Sequence, residues 1–183
     1  MTTYAAFLGH LPHISVAELA AVLPDFSLVR ILRNSVAIFR TSADLTEAEL
    51  DEWGGIVLVA KELKPDGNLN IIPQVLSSEF TTGKGKVTFS LRTMNVPKPK
   101  IKQLYRQCKD ELKKRGRSSR YVGNENQPAA TVLLHDAGLL NPKEGCELVI
   151  LQDEDFFWLG RSIAAQNPHA YTCLLYTSDA ADE

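Results

Sequence analysis

Cysteine is scarce in this chain: 183 residues contain three, Cys108, Cys146 and Cys173, with no CxxC spacing. That excludes a disulfide frame and a thiolate zinc site, and it leaves reduced thiols, with Cys108 read as a core residue. Long apolar runs are missing too. No stretch approaches the roughly 20 residues that a bilayer-spanning helix needs, and Met1-Thr2-Thr3-Tyr4 lacks the basic start of a signal peptide. The expectation is a soluble, cytoplasmic protein with no membrane partner. Catalytic signatures are equally thin. His10, His13, His135 and His169 are scattered, and no His/Cys/carboxylate set has metal-ligand spacing. Gly83-Lys84-Gly85-Lys86 lacks the upstream glycine and trailing Ser/Thr of a P-loop, Gly54-Gly55 reads as a helix stop, and neither GxGxxG nor GxSxG occurs. No catalytic, metal or cofactor-binding residue is assigned within the chain.

Apolar residues are present at 44% and charged ones at 23%, enough to bury a core. A formal net charge of -2 hides a sharp asymmetry. Between Lys84 and Arg120 stand thirteen lysines and arginines against only Asp110 and Glu111, while the remainder carries 7 bases and 20 acids. Such a split predicts a polyanion-facing patch on an acidic body.

Hydrophobic periodicity orders the elements. Tyr4 to Leu8 reads as a strand, and Ser15 with Glu18 as the capping box of a helix burying Val16, Leu19, Ala20 and Leu23. Ser27 to Leu32 and Ser35 to Arg40 form a hairpin around Arg33-Asn34, Asp44 or Thr46 starts a helix through Trp53, and Ile56 to Ala60 is an apolar strand. This βαββαβ order is that of a ferredoxin-like module over 1–64. Residues 65–83 are read as linker with a short helix at Ile71 to Phe80. A second, α/β module spans 84–165. It holds a strand at Lys86 to Leu91, a helix from Pro97 or Pro99 to Gly116, a brief strand at Arg120 to Val122, a helix from Pro128 to Leu134, and a hairpin around Asp153-Glu154-Asp155. The fold class expected is α+β.

The helix after Pro99 is the most informative segment. Ile101, Leu104, Tyr105, Cys108 and Leu112 define a buried stripe, and Lys98, Lys102, Arg106, Lys109 and Lys113 then share one narrow sector about a quarter turn away. Like charges four residues apart destabilise a helix by about 0.2–0.5 kcal/mol per pair, a cost that a bound polyanion removes. Lys84, Lys86, Arg92, Arg115, Arg117 and Arg120 extend the patch toward nucleic acid. Arg117-Ser118-Ser119-Arg120-Tyr121 combines guanidinium forks, hydroxyls and an aromatic face, as phosphate contact and base stacking require. Asn124, Asn126 and Gln127 before the Pro128 helix are read either as amides presented to a phosphate or as caps.

The strings Phe7-Leu8-Gly9-His10 with Ser15 to Leu23, Gly54-Gly55, Lys86 to Leu91, Ser119-Arg120-Tyr121-Val122, Gly145 to Ile150 and Leu159 to Pro168 leading to Tyr171 appear in an order that resembles THUMP-domain RNA methyltransferases. Most similar are the tRNA guanosine-N2 methylases of archaea and some bacteria. The resemblance implies that 84–165 is a THUMP module gripping tRNA at its acceptor stem and 3′ end, and that 166–172 begins a linker. It also implies a Rossmann-like domain, absent from this chain, that binds S-adenosylmethionine and methylates a base. Asn167-Pro168-His169 lacks the second proline and aromatic of an amino-methylating motif and is set aside. Residues 173–183 break the pattern and match a translated sequencing adapter, so the expectation is a fragment with an appended tail. A stand-alone RNA-binding adaptor serving a separate enzyme is the alternative reading.

Overall fold

The computed structural model describes residues 1–64, 67–80, 85–124 and 126–167, and Lys84 and the tail 173–183 lie outside them. Its first half follows the expected order: β1 (Thr2–Leu8), α1 (Pro12–Val22), β2 (Ser27–Leu32), β3 (Val36–Thr41), α2 (Glu47–Asp51) and β4 (Ile56–Lys64). β1 pairs antiparallel with β3 and β4, and β2 with β3. Arg33 and Asn34 turn the β2–β3 hairpin at φ of 47° and 51°. α2 starts at Thr46, whose N–H reaches Glu49 Oε2 at 2.8 Å.

α1 starts three residues before the expected Ser15 cap. Pro12 sits in its first turn, where a missing N–H costs nothing. Ser15 and Glu18 serve tertiary structure instead. Ser15 Oγ donates to the Gly55 carbonyl at 2.6 Å, and the Glu18 carboxylate accepts from the Gly54 and Gly55 N–H groups at 2.9 Å each. The glycine pair therefore receives α1 as well as ending the α2 segment. Ala20, expected in the core, is exposed, and the buried face is Ser15, Leu19 and Leu23.

The second half adds a 3-10 turn at Leu69–Ile71, α3 (Ile72–Ser78), β5 (Val87–Met94), α4 (Lys98–Lys114), β6 (Ser119–Tyr121), α5 (Thr131–Asp136), β7 (Gly145–Asp153) and β8 (Phe156–Ala165). β5 pairs in parallel with β6 and β7, whereas β8 pairs antiparallel with β7 and β4. The result is one eight-stranded mixed sheet, mostly antiparallel, in the order β2-β3-β1-β4-β8-β7-β5-β6. The fold is α+β, and the β4–β8 ladder makes the two halves one sheet.

Three cores hold the layers. Ile72, Val75 and Leu76 of α3 join Leu104, Cys108 and Leu112 of α4 over Phe89, Leu148 and Leu159, so the short helix read as linker belongs to the same core as α4. Leu19 and Leu50 cover Tyr4, Phe39 and Val59 on the first half. On the opposite face, Leu134 of α5 packs with Ala5, Ile38 and Leu58 of the first half and Val149 and Trp158 of the second. Helices α1 to α4 thus line one face and α5 the other. The α4 crossover therefore runs from β5 to β6 over one face, and the α5 crossover from β6 to β7 over the other. Cys108 and Cys146 are buried free thiols, and burial pushes each up to about 12.

Candidate nucleic-acid interface

α4 presents its cations because its core face is fully used. Ile101, Leu104, Cys108 and Leu112 are buried, and Lys98, Lys102, Arg106, Lys109 and Lys113 are all exposed along one ridge. At 1.5 Å per residue the ridge is about 22 Å long. Lys114 and Arg115 turn elsewhere, toward Glu111 at 3.4 and 3.8 Å. Gly116, at φ 73°, reverses the chain after the helix, while the Gly116 and Arg117 N–H groups bond the Lys113 and Leu112 carbonyls at 2.9 Å each. That reversal brings Arg117, Ser118 and Ser119 back beside Lys109 and Lys113 around a groove of about 440 Å³, which Asp110 also lines. Arg117 Nε donates to the Gly85 carbonyl at 3.2 Å, next to the exposed Lys86. The arrangement can do what a phosphate chain requires: three cations and two hydroxyls converge where the ridge ends.

Beneath the ridge lies an aromatic pair. Tyr105 stacks on Tyr121 at 4.9 Å and 14°, Tyr121 meets Phe89 at 5.3 Å, and the Lys109 ammonium lies 5.7 Å from the Tyr105 ring centre. Tyr121, expected to offer a face for base stacking, has its ring packed against these neighbours. Tyr105 is the residue that periodicity assigned only to the core. Its place at the stripe's edge, four residues before Lys109, is the signal that links it to the ridge.

Two of the cations read from the sequence lie away from the ridge. Arg92 faces inward: its side chain is 12% exposed, Nε bonds Glu147 Oε2 at 3.0 Å, Nη2 bonds the Ala129 carbonyl at 2.6 Å, and its guanidinium lies over Phe7. It is needed there because Glu147 is fully buried. Burial raises the pKa of that carboxyl, while Arg92 and Ser162, whose Oγ donates at 2.5 Å, oppose the rise. Sequence counting could not separate Arg92 from its neighbours, since its partner is 55 residues away. Arg120 is exposed, but it alternates with Ser119 and Tyr121 on edge strand β6 and so points to the sheet face opposite α4. The helix expected at Pro128 starts at Thr131, and Asn124 Oδ1 accepts from the backbone N–H groups of Asn126 and Gln127 at 2.8 Å each, so the Asn124 side chain closes a turn.

Comparison with solved structures places this fold. The chain superposes on TrmN from Thermus thermophilus with a TM-score of 0.54 at 12% identity, covering 94% of this chain and 48% of that one. PH1313 from Pyrococcus horikoshii Ot3 gives 0.49 at 11% identity over 88% of this chain and 54% of that one. A 4-thiouridine synthetase in complex with RNA and ATP gives 0.45 at 8%, over 88% and 41%. The chain spans about half the length of TrmN and shares its fold over that span. No protein-family model and no curated protein matches the sequence.

Among the described residues, no group of three or more His, Cys, Asp or Glu is placed to hold a metal ion, and no helix is long and apolar enough to cross a membrane. The turn from β5 into α4, Asn95-Val96-Pro97, contains no glycine, and Pro97 has no N–H to offer. It does not fit a glycine-rich cradle for S-adenosylmethionine.

Proposed function

We propose that this chain is the tRNA-binding half of an RNA-modifying enzyme, built from a ferredoxin-like unit (1–64) and a THUMP module (84–165). One observation carries the reading: the five-cation ridge of α4 runs into a groove where Lys109, Lys113 and Arg117 meet Ser118 and Ser119. The fold shared with TrmN and the motif order that resembles THUMP methyltransferases support it. Binding follows from neutralising phosphates along the ridge, which releases counterions and is largely indifferent to sequence. In this reading the acceptor region of tRNA lies along α4, and the modified nucleotide is delivered to a methyltransferase domain acting at guanine N2. S-adenosylmethionine and its chemistry belong to that domain, and this chain supplies grip and orientation.

The test is fluorescence anisotropy of the full chain with an unmodified tRNA transcript across a salt series. Binding whose logarithm falls linearly with the logarithm of salt concentration is expected, with no methyl transfer by the chain alone. Salt-independent binding, or none at low salt, refutes the assignment.

A further inference from the structure

The sheet ends in two edges that are finished differently. β6 is three residues long with Arg120 exposed at its centre, so it offers little to another strand. β2 is six residues long and carries neither lysine nor proline, the residues that commonly block an edge. Its one charge, Arg30, is turned to the α5 face, where the guanidinium lies 4.8 Å from the Phe156 ring centre. The α1 face of β2 is apolar. Cross-strand partners share a face, so Leu28 opposite Phe39 and Ile31 opposite Ala37 both point to the side that α1 covers. They do so three residues apart because the register shifts between Leu28 and Arg30, which takes Val29 out of the alternation. α1 leaves them open: Leu28 is 42%, Val29 46% and Ile31 41% exposed. Glu18 reaches Gly54 and Gly55, before β4, from one flank of α1. At about 100° per residue Ala20 leaves the helix on the opposite flank, toward β2, and it too is exposed. Ala20, Leu28 and Ile31 therefore border one uncharged margin along the sheet edge.

We infer that a second copy of this chain covers this margin, with β2 running antiparallel to its own equivalent. A two-fold axis between Val29 and Arg30 sets Leu28 against Ile31 of the second copy and Ile31 against its Leu28, so apolar meets apolar twice on the α1 face. The extra residue at Val29 makes this reciprocity possible, since in a regular strand Leu28 and Ile31 would lie on opposite faces. A phosphate backbone gains nothing from these aliphatic side chains. A strand of six residues is about 20 Å long, and with the α1 flank the margin covers on the order of 400 Å² per copy, half of the ~800 Å² that a standard interface takes from each partner. The dimer is accordingly weak, with a Kd on the order of 10–100 µM. The same register brings the two Arg30 residues near one another on the α5 face, a repulsion that salt screens. α4 packs on β5, next to the other edge, so pairing through β2 leaves its ridge free. The inference is independent of the RNA-binding reading and adds to it an assembly with two such ridges.

The experiment is sedimentation velocity of the full chain, with Cys173 changed to Ser, between about 5 and 200 µM and at about 0.1 and 0.5 M salt. The mass should rise with concentration from 20.3 kDa toward twice that value. It should rise at least as steeply in the higher salt, where RNA binding weakens. Leu28→Lys with Ile31→Lys, checked for folding by circular dichroism melts, should stay at the monomer mass. Cysteine pairing reads the register without charge insertion, since Cys108 and Cys146 are buried. A chain with Leu28→Cys and a chain with Ile31→Cys should form a disulfide-linked dimer when mixed and oxidised, because opposed Cα atoms lie about 4.5–5.5 Å apart. Neither chain alone should do so, each position being at least about 10 Å from its own equivalent. A monomer at every concentration, association lost at the higher salt, association that survives the paired lysines, or cross-linking as rapid in one chain alone as in the mixture overturns the inference. None of these outcomes touches tRNA binding, which the anisotropy series measures separately.

Discussion

Replacing Lys102, Arg106 and Lys109 together by glutamine tests the ridge most directly, because all three are exposed and lie in the middle of α4. Each phosphate neutralised by a cation contributes roughly 0.7–0.9 to the slope of log K against log salt, the lower figure for single strands. Three lost contacts should lower the magnitude of that slope by about 2 to 2.7 and weaken binding near 0.1 M salt by about 100- to 500-fold. Stability should move the other way. Lys98–Lys102, Lys102–Arg106, Arg106–Lys109 and Lys109–Lys113 are like-charge neighbours at helical spacing, each costing a few tenths of a kcal/mol, so the variant should melt at the same temperature or slightly higher. Anisotropy titrations at four or more salt concentrations, paired with thermal melts, separate the two effects. A slope unchanged within error, with the fold intact, would show that RNA does not run along α4.

Arg92→Met leaves the Glu147 carboxylate buried without its cation and should cost about 3–5 kcal/mol at neutral pH by urea denaturation. Glu147 has a raised folded-state pKa, so stability is lost as pH rises from its unfolded value, and Arg92→Met should steepen that loss; a penalty equal at pH 5 and pH 8 would contradict this. Glu18→Ala removes two charge-assisted bonds to Gly54 and Gly55 and should cost about 2–3 kcal/mol, whereas Glu18→Ala with no change in urea midpoint would mean that α1 is not anchored there. Gly55→Ala places a Cβ 2.8 Å from Glu18 Oε2 and 3.1 Å from the Ser15 Cα, so a lower melting temperature is expected. With Cys173 changed to Ser, the native protein should give no reaction with a thiol reagent at about pH 8 until it is unfolded, since Cys108 and Cys146 are buried and their thiols are pushed up to about 12; rapid labelling would refute their burial.

Local rules made most of the secondary structure legible. The βαββαβ order, the Arg33-Asn34 turn and the α4 helix with its five-cation ridge all follow from periodicity and turn chemistry, which operate over fewer than about ten residues. α4 was readable in both faces at once because a single stripe of Ile101, Leu104, Cys108 and Leu112 fixes the direction of every other residue on the helix. Long-range partnership was not readable. Arg92 counts as a surface cation until Glu147 is seen beneath it, and Ser15 and Glu18 pass for a cap until Gly54 and Gly55 arrive from 36 to 40 residues away. Arg120 and Lys98 look alike in a charge tally, yet the sheet separates the face to which Arg120 points from the one that α4 covers. Sequence patterns carry the direction of a side chain relative to its own element. Which element it meets depends on topology, and burial of that meeting decides whether a charge is free to bind a ligand or committed to the interior.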